Sequence, residues 1–171
     1  MIIKDSGFDE IDRAVRRRTF GTLSTMDRRG APHATAVIYA VSPPDQPLTL
    51  FVTTRSTTAK VHHIRKHPEV AFVIPVPHRL PVFPPSAVQF QGLATILEAN
   101  DTAAIGAFQK SWFHRRILAA EQRIVSQGGQ MCFIAIQPNK TIFSYGIGLS
   151  ALDILRQPRQ AAGQTQLPAG R

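Results

Sequence analysis

The ten residues 51–60, FVTTRSTTAK, run from an apolar, strand-like beginning into four threonines, a serine, an arginine and a lysine. Hydroxyls beside fixed positive charge are the groups that bind an oxyanion, through short charge-assisted hydrogen bonds. No glycine interrupts the run, so a Walker-type loop is excluded. A helix beginning at Thr58-Ala59-Lys60 would expose N–H groups that lack an intrahelical acceptor, and its positive dipole end would attract a phosphate. Thr57 or Thr58 can cap that helix and offer its hydroxyl to a phosphate oxygen. Lys60 adds a full charge, and Arg55 a forked donor. Across residues 54–68 the formal charge is +4, from Arg55, Lys60, Arg65 and Lys66, with His62, His63 and His67 beside them. A simple helix cap or a solvated basic loop uses the same residue types, so this stretch alone leaves three readings open.

Other chemistries find less support. The six histidines invite a metal site, but adjacent His62 and His63 diverge by about 100° on a helix. With a single cysteine and few carboxylates nearby, no ligand set is completed and no metal is expected. Cys132 alternates within an apolar stretch and reads as a core thiol rather than a nucleophile. No Ser-His-Asp arrangement or paired carboxylate stands out, so no catalytic side chain is assigned. The chain of 171 residues is 43% hydrophobic, which fits one globular domain. Its net charge of +9 favours anionic partners. The N-terminus MIIKDSGFDE is no signal peptide, and no apolar run is long enough for a membrane helix. With a lone cysteine, these features lead to the expectation of a soluble cytoplasmic protein without a membrane partner.

These residues must be positioned by a framework, and hydropathy patterning supplies one. Residues 8–18 place Phe8, Ile11 and Val15 at helical spacing, with acids early and arginines late. TFGTLSTM (19–26), the turn DRRGAP and HATAVIYAV (33–41) read as a hairpin. LTLFVTT (48–54) is a third strand, 58–67 a short helix ended by Pro68, and EVAFVIPV (69–76) a fourth strand. A proline-rich loop follows. Residues 87–99 form a fifth strand in which Gly92 marks a bulge or a close backbone approach. Residues 101–125 are helical, capped by Asn100 or Asp101 and split near Ser111. MCFIAIQP and KTIFSYGI read as two last strands around a Pro138-Asn139 turn. The Gln-, Ala- and Gly-rich residues 157–171 read as a disordered tail after a domain over 1–156. Short strands joined by hairpins, with peripheral helices, predict a mainly β protein: a six- to seven-stranded antiparallel barrel.

The succession FGTLSTMDRRGAPHATAVIY, LFVTTRSTTAKVHHIRKHPEVAFVI and VQFQGLATIL, over about residues 18–98, resembles the pyridoxamine 5'-phosphate oxidase-like FMN-binding split barrels. The shared theme is F-G-T-L-x-T, a turn ending Gly-x-Pro, a strand ending in Thr, then a hydroxyl residue and a Lys opening a helix. Next come His-Pro-x-Val and a strand carrying Gly-x-Ala. The resemblance implies FMN as cofactor, its phosphate held by the segment of Thr53, Thr54, Arg55, Thr57, Thr58 and Lys60. It also implies that Thr35, Ala36, Val37 and Ile38 run along the flavin, partly through backbone groups. Gln89, on the same face of the fifth strand as the position of a cofactor-reaching family Gln, is a candidate contact, and Trp112 or Phe113 is a candidate to border the flavin from a partner subunit. It implies a homodimer with flavin sites at the interface, and electron transfer at the flavin to or from a small molecule. The loop RLPVFPP (79–85) is a candidate wall over the substrate.

The departures from the theme narrow the substrate. Thr35 and Ala40 stand where the vitamin-B6 oxidases carry Arg and Lys, Ala59 replaces the Arg before the phosphate lysine, and Ala87 replaces a cofactor-reaching Gln. Loss of the substrate-phosphate lysine argues for an uncharged substrate rather than pyridoxamine phosphate. Two rival readings remain: a deazaflavin (F-420) reductase on the same fold, and a non-catalytic flavin- or polyanion-binding module. Nucleic acid is disfavoured because no RNA-binding or helix-turn-helix signature is present.

Overall fold

The computed structural model describes residues 4–5, 7–77, 86–125, 130–149, 156 and 161–168. Its elements are β1 (Lys4–Asp5), α1 (Phe8–Arg16), β2 (Phe20–Met26), β3 (Pro32–Val41), β4 (Leu50–Arg55), α2 (Ala59–Lys66), β5 (Glu69–Val76) and β6 (Ser86–Glu98), then α3 (Thr102–Gln109), α4 (Trp112–Val125), β7 (Met131–Tyr145) and β8 (Ala162–Gln166). Six strands close in the order β7-β4-β3-β2-β5-β6, with β6 returning to β7; β8 adds to the outside and β1 pairs with it in parallel. All six barrel pairings are antiparallel. The predicted antiparallel barrel is therefore present.

Period-two alternation builds the interior. Along β6 burial alternates from Ser86 to Thr95, so Val88, Phe90 and Ala94 face inward and Gln89, Gln91 and Leu93 outward. The inward residues join Leu23, Tyr39, Leu50, Phe72 and Ile134 in one core. Two short amphipathic helices close its ends: Ile11 and Val15 from α1 at one, Val61 and Ile64 from α2 at the other. The Tyr39 hydroxyl donates to the Val15 carbonyl at 2.8 Å, which ties α1 to β3. A second cluster lies outside the barrel, where Ala104, Ala107, Phe108 and Leu118 of α3 and α4 cover Ala40, Phe51 and Phe133. Helices α3 and α4 are separated at Lys110-Ser111, and Asp101 caps α3 by accepting from the Ala104 N–H at 2.8 Å.

Two expectations are corrected. The strands read on either side of Pro138-Asn139 are one continuous strand, β7. A proline there breaks no ladder on one edge, because β4 ends opposite Ile136 and β8 begins opposite Thr141. On the other edge the register with β6 shifts between Phe90 and Gly92, which face Ile142 and Pro138, so the two extra residues bulge from β7. The segment read as a disordered tail carries β8, which pairs with Thr141–Tyr145. Its Ala161, Gly163 and Thr165 are small enough to bury beside the β7 edge that β4 has left. The loop 79–85 lies outside the described residues.

Gly92 lies against the Gln137 carbonyl of β7, where a Cβ would collide with backbone. Gly92→Ala is expected to lose about 1–3 kcal/mol as over-packing, whereas Gly106→Ala, in the open interior of α3, gains about 0.5–1 kcal/mol of helix propensity. A urea unfolding midpoint for Gly92→Ala that rose, as that of Gly106→Ala is expected to, would contradict the close approach at Gly92.

Candidate cofactor-binding site

The barrel wall opens along one seam. Strands β3 and β4 pair only through Tyr39, Ala40 and Val41 opposite Val52, Phe51 and Leu50. Beyond that point residues 32–38 pair with β2 and residues 53–55 with β7, so two strand edges diverge. Antiparallel bonds alternate from one edge to the other. The Tyr39 N–H donates to Thr19, on the β2 side, so the N–H and C=O groups of Ala36 and Ile38 face the opening. By the same alternation Thr53 and Arg55 present theirs from β4. The Thr53 hydroxyl is buried and has no hydrogen-bond partner among the described residues.

Helix α2 starts at the mouth of this seam. Thr58 is its N-cap residue, but its hydroxyl makes no capping bond and instead donates to the Arg55 carbonyl at 3.0 Å. It also lies 3.3 Å from the Thr54 hydroxyl. The tight β4–α2 turn explains this, since the Thr58 N–H goes to the same Arg55 carbonyl at 3.1 Å. Capping by Thr57 or Thr58 is thus corrected: Thr57 is exposed, Thr58 points back, and the helix start is left without a side-chain cap. Val61 and His62 donate to the Thr58 carbonyl, which leaves the N–H groups of Ala59 and Lys60 as the helix's outward donors.

Lys60 is half-buried beside this start. Burial holds its ammonium below the ordinary lysine value; the Glu121 carboxylate opposes that shift, and Arg55 adds to it. One Glu121 carboxylate oxygen is itself buried without a partner among the described residues. Sequence reasoning missed Glu121, although it is the one acid in the α4 sequence WFHRRILAAEQRIV. Cys132 is buried, and desolvation first of all raises its thiol pKa, as expected of a core thiol. Among the described residues no three His, Cys, Asp or Glu side chains gather as a metal site.

The other candidate residues fall into two groups. Thr35 and Val37 face the barrel interior opposite Leu23 and Gly21, while exposed Ala36 and half-buried Ile38 face outward. Thr53 and Arg55 present their backbone at the seam, Thr54 is buried with its hydroxyl against Thr58, and the Lys60 ammonium senses the Arg55 charge. Gln89 lies elsewhere: it is exposed on β6, three strands from β3, roughly 14 Å along the sheet. Trp112 is also apart, 64% exposed at the start of α4 with Arg116 stacked 4.8 Å from its ring centroid. Trp112 and Phe113 are therefore not core residues of this chain, whereas Phe108 is.

The family model described as pyridoxamine 5'-phosphate oxidase matches residues 8–143. The chain belongs to this family. No curated protein matches it. Among solved structures, the heme storage protein HutZ of Vibrio cholerae superposes with a TM-score of 0.62 at 17% identity, over 82% of this chain and 95% of that one. A pyridoxamine 5'-phosphate oxidase-related, FMN-binding protein of Nostoc punctiforme gives 0.60 at 14% identity, over 94% and 95%. An FAD-binding protein of Mesorhizobium loti gives 0.60 at 14%, over 84% and 95%. At such identities these likenesses establish the fold.

The seam mouth fits the phosphate end of a flavin in donor chemistry: two helix-start N–H groups, the unpartnered Thr53 hydroxyl, and the charges of Lys60 and Arg55. Thr53→Val removes a buried hydroxyl that has no partner among the described residues. It should raise ligand-free stability by about 1 kcal/mol while weakening binding of a phosphorylated flavin. A urea midpoint that falls instead would mean the hydroxyl is already partnered.

Proposed function

We propose that this protein binds a flavin through its 5'-phosphate, FMN being the smallest ligand that satisfies the seam, and works as a flavin-dependent oxidoreductase on a small uncharged substrate. The observation that carries the reading is the uncapped start of α2, with Lys60, beside the open β3–β4 seam. A bound flavin would supply the hydride-transfer chemistry. The chain's own part is to position it. Lys60, Arg55 and the N–H groups of Ala59 and Lys60 would hold the phosphate, and the seam-facing backbone groups of Ala36 and Ile38 would bond to the flavin ring. The absorption spectrum of the purified protein, with mass identification of any released chromophore, tests this directly. A colourless protein that FMN cannot reconstitute would overturn it.

Pyridoxamine phosphate is a poor fit as substrate. Ala40, where the resemblance would place a substrate lysine, is 1% exposed beneath α3 and α4, and Thr35 turns into the barrel. Neither position offers charge to a second phosphate.

The site gains from a second copy of the chain. Phe20, Met26, Leu93 and Phe143 are 37–52% exposed, and the strand registers put all four on the outer face of the β2–β5–β6–β7 wall. Gln89 lies on that face too. Pairing two such walls would bury this apolar surface together with Gln89. Light scattering is expected to give twice the 18.8 kDa of the chain, and Leu93→Asp with Phe143→Asp to give the monomer with weakened flavin binding.

Lys60→Ala is expected to weaken FMN by about 1.5–3 kcal/mol, the range for hydrogen bonds to charged groups. The groups around the ammonium are Glu121 of α4, Arg55 of β4 and Cys132 of β7. Burial lowers the Lys60 pKa in the free protein, and a bound phosphate would raise it. Binding should therefore take up a proton at alkaline pH, and affinity should fall as pH rises through the lowered lysine value. Lys60→Arg should flatten that dependence. An affinity by flavin fluorescence that is independent of pH in the wild type, or unchanged in Lys60→Ala, would remove Lys60 from the site.

A further inference from the structure

A second hollow lies on the other side of the α2 start. Its volume is about 500 Å³, and Arg28, Arg29, Ala59, His62, Arg65 and Lys66 are among its lining residues. That volume is within the range of small-ligand sites. The sequence reading gave Arg28 and Arg29 only to a turn.

The turn and the helix bring these charges together by separate means. Asp27 binds the turn to itself: one carboxylate oxygen accepts from the Arg29 N–H at 2.8 Å and the Ala31 N–H at 2.9 Å. Those two bonds, Ala31 first, hold its carboxyl below the usual carboxylate range. The other oxygen faces His33 Nε2 at 3.4 Å. Asp27, the one acid among the described lining residues, is thus engaged in the turn. His63 forms the inner wall, anchored by Nδ1 at 3.0 Å from the Thr25 hydroxyl and by its ring 4.8 Å from that of His33. Ala59, His62, His63 and Lys66 recur at helical spacing, so one face of α2 looks across at Arg28 and Arg29. Four permanently charged side chains line the hollow, and guanidinium planes and an imidazole offer flat surfaces for a purine ring.

The position of the hollow names the ligand class. Ala59 lines it, and the Ala59 N–H is one of the two outward donors of the α2 start. A phosphate accepting from that N–H therefore borders the hollow. We infer that the hollow receives the adenylate half of a flavin dinucleotide, so that the chain takes FAD in preference to FMN, its second phosphate paired with Arg28, Arg29 and Lys66. The inference rests on the flavin reading above and adds to it a residue-level choice between the two nucleotides. The Ala at position 59 is consistent with it, since a methyl group leaves open the passage that a longer side chain would fill.

Titration of the full chain with riboflavin, FMN and FAD separates the two readings. The wild type should bind FAD at least about tenfold more tightly than FMN, and FMN more tightly than riboflavin. Arg28→Ala with Arg29→Ala, both exposed in a turn whose bonds are made by Asp27 and backbone, should reduce FAD affinity about tenfold and leave FMN within about twofold. Lys60→Ala should weaken both nucleotides. Circular dichroism checks the fold of each variant, and Lys66→Ala on the helical wall gives the same readout independently of the turn. Equal affinity for FMN and FAD, or FAD binding indifferent to Arg28, Arg29 and Lys66, would overturn the dinucleotide assignment while leaving the flavin reading in place. Binding of neither flavin would overturn both.

Discussion

A backbone N–H or C=O taken out of water requires a partner, and the β3–β4 seam is where this barrel leaves that requirement open. Three residue pairs hold the seam at one end. Beyond them each strand keeps its other neighbour and turns an unpaired edge to the gap. The long β7 makes this possible. It binds β4 through residues 131–136 and β8 through 141–145, and bulges once, between Pro138 and Ile142, against β6. The barrel therefore stays closed without β3 and β4 pairing over their full length. A seam that breaks no other ladder can be kept for a planar, hydrogen-bonding ligand.

Electrostatics then orients what enters. Lys60 is the charge placed nearest the uncapped helix start, and its own burial works against it. Glu121 answers from α4 as a counter-charge that favours the ammonium form, but a carboxylate so close also repels a phosphate. An anion at the helix start must share Lys60 with Glu121, and its binding draws on the helix N–H groups and the Thr53 hydroxyl as well. The arrangement favours a ligand with several acceptor oxygens over a simple halide or carboxylate.

Much of this was legible in the sequence where local pattern and global packing agree. Gly92 announced a close approach because an isolated glycine in an alternating strand has few other reasons to be there, and it meets the Gln137 carbonyl. Gly21 of the F-G-T-L motif makes room for the Phe72 ring across the pair with β5. The helix break at Ser111 and the cap at Asp101 followed from local chemistry. What was not legible depended on neighbours distant in sequence. Pro138 looked like a turn because nothing local reveals that β7 changes partners there. Residues 162–166 looked like a tail because a strand of Ala, Gly, Gln and Thr is held by backbone bonds and the space beside β7, not by its own hydrophobicity. Glu121 and the pairing of Arg28 and Arg29 with α2 escaped notice for the same reason: each is an ordinary surface residue type until the fold closes around it.

The same fold carries a heme storage protein among its solved examples, so architecture does not decide the cofactor and side chains must. A heme iron is usually held by an axial side chain such as histidine with a free ring nitrogen. His114, beside the closed end of the seam, has both nitrogens engaged: Nδ1 lies 2.8 Å from the Ser111 hydroxyl and Nε2 2.9 Å from the Tyr39 carbonyl. His63 engages Nδ1 with the Thr25 hydroxyl and packs on His33, which in turn faces Asp27. At these three positions imidazole serves to hold β3, α2 and α4 in place. What the seam mouth presents is hydroxyl, backbone N–H and ammonium, the donors that a phosphate accepts from.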